Sequence, residues 1–193
     1  MTDTGTPATE FVAPPLPSDE GAYVAALLQG QLDALNDLAL TLKHVHWNVV
    51  GPHFIAVHEM IDPQVKAVRR MVDDIAERIA TLGVPPDGTP GGIVRRRTWG
   101  DYAIGRADAL THLAALDSVY RFVIAGHRQA AAETEAIDPV TSDLLIDQLH
   151  SIELFHWFVR AHLEPSDGAR PAADATVPDP AAGQFTAGPR ATM

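Results

Sequence analysis

The sequence FIAVHEMIDPQVKAVRRMVDDIAERIATL occupies residues 54–82 and decides the fold. Its apolar side chains recur at steps of three and four residues, which places them on one face of an α-helix. The members of this stripe are Phe54, Ile61, Val65, Val68, Val72, Ile75, Ile79 and Leu82. Gly83 follows directly, and glycine commonly ends a helix. The pattern predicts a long amphipathic helix with one buried face.

A similar helix is predicted upstream. Apolar residues between Val24 and Val49 recur at three- and four-residue steps, with Ser18 as the predicted N-cap. The Gly51-Pro52 pair is expected to end this first helix.

Two more helices are predicted downstream. Residues 84–92 are rich in proline and glycine and are expected to form a loop. The alanine-rich segment over about 101–136 predicts a third helix, and Asp138-Pro139 predicts the start of a fourth that runs to about His162. No segment is predicted to be a strand. The pattern indicates an all-α four-helix bundle, with a short helix or loop in its long middle connection.

Composition predicts one domain over residues 19–164 with two disordered tails. Residues 1–18 and 165–193 are rich in proline and alanine and hold too few large apolar side chains to form a core. Neither a signal peptide nor a stretch apolar enough to span a bilayer is found, so we expect no membrane partner. The expected location is the cytoplasm, with the nucleoid as the alternative.

Charge and cysteine content exclude several classes of site. The 25 acidic and 14 basic residues give a formal charge of -11, which does not favour binding to nucleic acid. The chain has no cysteine, which excludes disulfides, thiolate metal sites and cysteine nucleophiles. Any metal must be held by His, Asp and Glu.

Two pairs of candidate metal ligands lie on the second predicted helix. His58 and Asp62 are four residues apart, as are Asp73 and Glu77, so each pair shares a face. With Val65 at zero, the four lie between about +20° and +120°, along one edge of the apolar stripe. His58 and Asp73 are separated by roughly 22 Å of helix, too far to share one metal. Two copies about a two-fold axis, with these helices antiparallel, would form two equivalent sites.

His46 is expected to complete the set, because it precedes the Gly51-Pro52 turn closely enough to reach His58. Two imidazoles with two or three carboxylates suit iron, manganese or zinc better than calcium or a structural zinc. A single His or Asp on such a helix is more often structural; the joint placement of five is what indicates a metal site. Lys66 and Arg69 lie on the same edge and are expected to offset carboxylate repulsion, with simple exposure to water as the alternative.

Three segments closely resemble the Dps family, the DNA-binding proteins from starved cells. They are KHVHWNVVGP at 43–52, FIAVHEMID at 54–62 and DDIAER at 73–78. The resemblance covers about 22–164 and implies a ferritin-like subunit in a hollow dodecamer, with a ferroxidase site at each dimer interface. It implies that His46, His58 and Asp62 come from one subunit, and Asp73 and Glu77 from its mate.

The resemblance also implies an activity. Fe²⁺ would be oxidised, preferentially by hydrogen peroxide, and Fe³⁺ stored as mineral, which protects against oxidative damage. Trp47 and Trp157 are similar to the family's aromatic residues near the site, with core packing as the alternative for Trp157. Asp138, Asp143 and Asp147 resemble the acids that line the pore through which iron enters, although helix capping alone would explain Asp138.

DNA binding is where this sequence departs from the family, which usually binds DNA through a lysine-rich tail. The first 18 residues hold no Lys or Arg, and the last 29 hold only Arg170 and Arg190. Arg95-Arg96-Arg97 is the only basic cluster and is interpreted as a solvated loop. We predict weak or no DNA binding at physiological salt. A nucleoid-associated protein that coats DNA, with little ferroxidase activity, is the alternative function.

Two other metal chemistries fit the sequence less well. His58-Glu59 begins like the His-Glu-x-x-His helix of zinc hydrolases, but the fifth position is Asp62. A di-iron centre inside one bundle needs a Glu-x-x-His motif on each of two helices, and only residues 153–156 supply one. His156 is instead expected to pack beside Trp157.

Overall fold

The computed structural model describes residues 15–165, which form five α-helices and one short strand pair. In chain order, the elements are α1 Ser18–Asn48, β1 Val49–Val50, α2 Phe54–Thr81, α3 Pro90–Arg96, β2 Ala107–Asp108, α4 Ala109–Thr134 and α5 Pro139–Leu163. Helix α1 packs along α2, α4 packs along α5, and α1 also contacts α4. The predicted all-α four-helix bundle is confirmed, with α3 as the short helix in its middle connection. Most of both predicted tails lies outside the described residues.

The core is built from the predicted apolar stripes. From α2, the side chains of Ile61, Val68 and Ile75 are fully buried. They pack with buried leucines of α1, such as Leu35 and Leu42, and with apolar residues of α4 and α5. Within residues 15–165, no helix is long and apolar enough to cross a membrane.

Most predicted helix ends are confirmed. Gly83 has a φ of 82°, a left-handed conformation that ends α2. Pro139 is the first residue of α5 and follows Asp138 as the N-cap. The predicted N-cap of α1 is wrong by one position, because Ser18 is already helical and Pro17 precedes it.

The middle connection differs from the prediction in three ways. The third long helix begins at Ala109 rather than near Asp101, because the Asp108 side chain accepts a hydrogen bond from the Thr111 N–H and caps it there. Residues 90–92 belong to α3 rather than to a loop, since Pro90 is suited to a first helical turn. Strands β1 and β2 pair in parallel, which was not predicted because two-residue strands have no readable alternation.

The connection lies along α1 and is bonded to a polar stripe on that helix. Four side chains of α1 contribute, and at 100° per residue they fall within an arc of about 80°. The pairs are Gln29 with the main chain of Asp87, Asp33 with Arg96, Asp37 with Trp99, and His44 with the carbonyl of Ile104. The connection therefore reaches the C-terminal end of α1 already fixed to that helix.

Candidate metal centre

The turn between α1 and α2 brings His46 and His58 together. Gly51 has a φ of 95° in this turn, a conformation that favours glycine. The two imidazole rings stack with their centroids 3.6 Å apart. His46 Nδ1 lies 3.0 Å from the carbonyl oxygen of His58, and His58 Nδ1 lies 2.9 Å from that of His46.

These reciprocal bonds fix both tautomers. A carbonyl oxygen can only accept, so each Nδ1 carries the hydrogen and each neutral ring keeps its lone pair on Nε2. Metal-binding histidines usually donate their second ring N–H to a carbonyl or carboxylate in this way. His46 is only 7% exposed and His58 is partly buried, so packing also restrains the rings. Two Nε2 atoms are thus available to a metal before it binds.

Asp62 lies one turn further along α2, beside this pair. Its Oδ1 is 3.4 Å from His46 Nδ1 and accepts a hydrogen bond of 2.8 Å from Lys43 Nζ. The hydrogen bond from Lys43 holds the pKa of Asp62 below its usual value, which keeps the carboxylate ionised. We call His46, His58 and Asp62 the histidine half-site.

Lys43 was not predicted to contact the site. It lies three residues before His46, on the same side of α1, and its ammonium is also 5.7 Å from the centroid of the Trp47 ring. The three-residue spacing from His46 could have indicated that Lys43 faces the site. The sequence does not show, however, that α2 places Asp62 next to Lys43. In this structure, a cation already neutralises one carboxylate of the site.

Asp73 and Glu77, which we call the acidic half-site, are exposed on the same helix. Because α2 is unbroken from Phe54 to Thr81, about 22 Å of helix separates His58 from Asp73. Among residues 15–165, no three His, Asp or Glu side chains of one subunit are placed to hold a metal ion on their own. The structure therefore brings three predicted ligands together and leaves the other two apart. Lys66 and Arg69 are exposed, and their predicted role stays a prediction.

The two tryptophans singled out from the sequence are exposed, Trp47 at 71% and Trp157 at 60%. Trp157 therefore does not pack in the core of the subunit. His156 does not pack beside it as expected: its Nε2 lies 2.7 Å from Asp117 Oδ1 on α4. Burial alone would raise the pKa of Asp117, but hydrogen bonds with His156 and Arg121 outweigh this effect, so its pKa lies below the usual value. His156 is therefore hydrogen-bonded across the contact between α5 and α4.

Its motif partner is also engaged elsewhere. A carboxylate oxygen of Glu153 lies 2.5 Å from an Arg128 nitrogen. With both residues of this Glu-x-x-His motif paired to α4, the structure gives no support to a di-iron centre inside one bundle.

The three predicted pore acids lie in different environments. Asp138 is 3% exposed and accepts a 2.6 Å hydrogen bond from Arg78. Asp143 and Asp147 are exposed on α5. Asp138 thus already has a partner within its own subunit, whereas the other two carboxylates face outward. Arg78, the last residue of the DDIAER segment, ties α2 to the start of α5.

The basic cluster is not the solvated loop expected from the sequence. Arg96 lies in α3 and bonds to Asp33 and Asp87. Arg97 pairs with carboxylates in the same way, through Asp37 and Asp101. Arg95 is 72% exposed, with an Asp87 oxygen 3.9 Å away. Most of the positive charge of this cluster is therefore neutralised within the subunit.

The four-helix bundle, with two half-sites along α1 and α2, is the architecture of a ferritin-like protein. A family model described as a ferritin-like domain matches residues 25–167. The chain is 56% identical over 160 residues to the DNA protection during starvation protein of Mycolicibacterium smegmatis, covering 83% of this chain and 87% of the relative. The chain belongs to the Dps family.

Solved structures agree with this assignment. The tetragonal form of Mycobacterium smegmatis Dps matches with a TM-score of 0.80 and 56% identity, over 83% of this chain and 97% of that one. DpsA14 from Streptomyces coelicolor matches with a TM-score of 0.79 and 60% identity, over 81% and 94%. Membership in this family supports a mini-ferritin role and iron binding in general.

Proposed function

We propose that this protein is a ferroxidase and iron-storage mini-ferritin, whose iron sites form only where two subunits meet. The observation that carries the proposal is the reciprocal bonding of His46 and His58. It leaves the Nε2 lone pair of each ring available to a metal, and the Asp62 carboxylate lies 3.4 Å from His46 Nδ1. Because Asp73 and Glu77 lie on the same unbroken helix but far from these atoms, a second subunit must supply them.

The donor set suits the oxidation of iron as a substrate. Two imidazoles bind Fe²⁺ well, and three carboxylates favour Fe³⁺ more strongly because their negative charges offset its higher charge. Each hydrogen peroxide takes one electron from each of two Fe²⁺ ions and, with two protons, leaves as two molecules of water. Oxidation in pairs consumes peroxide without releasing hydroxyl radical.

The surface around the histidine half-site supports a subunit interface there. Leu40 and Trp47 lie about two turns apart on one face of α1, Ile55 lies in the first turn of α2, and each is more than half exposed. Large apolar side chains grouped on a surface favour contact with another protein. We propose that a two-fold dimer covers them, and that twelve subunits enclose a mineral cavity that iron reaches past Asp143 and Asp147.

Protection of DNA is proposed to follow from the removal of iron and peroxide rather than from coating. The relative from M. smegmatis is called a DNA protection during starvation protein, and this chain shares its family. The formal charge of -11 and the pairing of Arg96 and Arg97 disfavour the DNA-coating alternative.

The proposal is tested by adding Fe²⁺ anaerobically to the full-length protein, supplying peroxide, and recording ferric absorbance and the iron retained per assembly. His58→Ala and Asp73→Ala are expected to abolish rapid oxidation. The matched controls Glu59→Ala and Asp74→Ala, each one residue away, are expected to keep it. Unchanged oxidation in both ligand variants would rule out the proposed site. A stable monomer near 20.7 kDa in size-exclusion chromatography would exclude the inter-subunit geometry.

A further inference from the structure

Near the C-terminal end of α1, two residues before His46, His44 belongs to a separate group of three ring side chains. We call His44, Tyr102 and His112 the buttress cluster; none of them is a candidate ligand. The rings of His44 and Tyr102 meet edge-on with centroids 5.8 Å apart. The hydroxyl of Tyr102 lies 2.9 Å from His112 Nδ1. We propose that this cluster positions both metal-binding imidazoles, an inference that rests on the proposed function.

The cluster connects the end of α1 to residues 102–108 and, through His112, to the first turn of α4. His44 Nε2 lies 2.7 Å from the carbonyl oxygen of Ile104 and donates to it. Directly after the helix, Val49 pairs with Ala107 in the parallel strand bridge. Inside the turn, Asn48 Nδ2 donates a 2.7 Å bond to the carbonyl oxygen of His44. The end of α1 is thus fixed by its side chains and by its main chain.

Where α1 ends determines whether His58 can be held. A helix leaves its last carbonyl groups without partners in the helix, and the carbonyl of His46 is one of these because α1 stops at Asn48. His58 Nδ1 donates to this carbonyl. One further turn of helix would instead engage it with the N–H of Val50. The segment that stops α1 therefore preserves the acceptor that sets the His58 tautomer.

The cluster also reaches the main chain at the end of α1. His112 is fully buried, and burial lowers its pKa. Main-chain hydrogen-bonding groups of Asn48 and Gly105 lie beside its imidazole and partly offset this lowering. His112 therefore lies against both the last residue of α1 and the connection that follows Tyr102.

Titration of the full-length protein with Co²⁺ alone, followed by visible absorption and calorimetry, tests the inference without iron turnover. His44→Leu loses the bond to Ile104 and is expected to bind Co²⁺ about 10- to 100-fold more weakly, the usual effect of losing a residue that orients a metal ligand. His44→Gln can still donate to that carbonyl and is expected to restore affinity to within about threefold. Tyr102→Phe is expected to weaken binding as well.

A core variant remote from the site, Ile152→Val in α5, serves as control: it should lower the thermal midpoint and leave Co²⁺ affinity unchanged. Wild-type affinity in His44→Leu, or equal losses in His44→Leu and His44→Gln, would overturn the inference. If His44→Leu does not assemble, Tyr102→Phe provides the test. Wild-type Co²⁺ affinity in Tyr102→Phe would then overturn the inference. The proposed function itself has a separate test. If the wild type does not bind Co²⁺, or if His58→Ala binds it as tightly as the wild type, the proposed function is overturned.

Discussion

His46 and His58 each donate a hydrogen bond from Nδ1 to the other's main-chain carbonyl oxygen, while their rings stack 3.6 Å apart. Neither imidazole can rotate without breaking its hydrogen bond to the main chain of the other histidine. In the proposed function, both imidazoles are therefore oriented before a metal binds, which reduces the entropic cost of ordering them on binding. The same pairing makes the two residues interdependent, so the loss of one disturbs the other.

Lys43 is predicted to compete with iron for Asp62. Its ammonium donates a 2.8 Å bond to Oδ1 of the carboxylate, and its positive charge repels a metal ion that approaches the same group. Lys43→Met should tighten Co²⁺ binding by about two- to fivefold, the range expected from an exposed ion pair. Calorimetric titration measures the change, with Arg160→Met as the exposed control. Weaker binding in Lys43→Met would show that Lys43 supports the site instead.

Tight DNA binding is not expected. Arg96 and Arg97 are paired to carboxylates, so of the three-arginine cluster only the exposed Arg95 remains to neutralise phosphates, against a formal charge of -11 for the chain. In a gel shift with supercoiled DNA near 150 mM salt and no divalent cation, the protein should leave DNA mobility unchanged. Strong retardation under these conditions would contradict this prediction and favour the DNA-coating alternative.

Asp138 is predicted to stabilise the subunit above about pH 4. Burial alone would raise its pKa, but hydrogen bonds from Thr141 and Arg78 outweigh this effect, so its pKa lies below the usual value. The stabilisation is therefore fully present above the unfolded pKa and is lost as pH falls through the folded pKa. Asp138→Asn should reduce the free energy of unfolding at pH 7 by about 1–3 kcal/mol.

Urea unfolding at equal protein concentrations measures this effect, with the exposed Asp143→Asn as control. The difference between wild type and Asp138→Asn should narrow below pH 4. A difference that stays constant down to pH 2 would show that the charge of Asp138 is not responsible.

His127 is predicted to make the fold sensitive to mild acid. It is fully buried between α4 and α5, where its ring lies 3.3 Å from both the Val123 carbonyl and Gln148 Oε1. Burial lowers its pKa, so the unfolded chain takes up a proton near pH 6.5 while the folded chain resists it. The free energy of unfolding should fall below pH 6.5, by at most about 1.4 kcal/mol per pH unit from this group.

His127→Gln should flatten this dependence between pH 6.5 and 5, whereas the exposed His162→Gln should not. Thermal midpoints recorded across this pH range provide the measurement. Parallel pH profiles for wild type and His127→Gln would eliminate His127 as the source.

Local patterns predicted most of the fold. The regular spacing in residues 54–82 predicted α2, and Asp138-Pro139 predicted the start of α5. The start of α4 was misplaced because the residues around 101–108 have helical composition, while the structure holds Ala107 against Val49, 58 positions away. No local signal reports such a pairing.

The candidate site was predictable to the extent that helix geometry decides it. Spacing alone indicated His58, Asp62, Asp73 and Glu77, and the following turn indicated His46. The reciprocal main-chain bonds and the contact of Lys43 with Asp62 depend on how α1 crosses α2. Crossing is set by packing of the whole core, so these features became visible only in the structure.

Complementation between two inactive variants tests most directly whether the sites are shared. His58→Ala lacks part of the histidine half-site and Asp73→Ala lacks part of the acidic half-site, so each assembly alone should be inactive. Random mixing makes half of the dimers mixed, and each mixed dimer holds one complete site. The account therefore predicts recovery of about a quarter of the wild-type rate of Fe²⁺ oxidation by peroxide. No recovery in mixed assemblies, with subunit exchange verified by mass, would contradict the inter-subunit site.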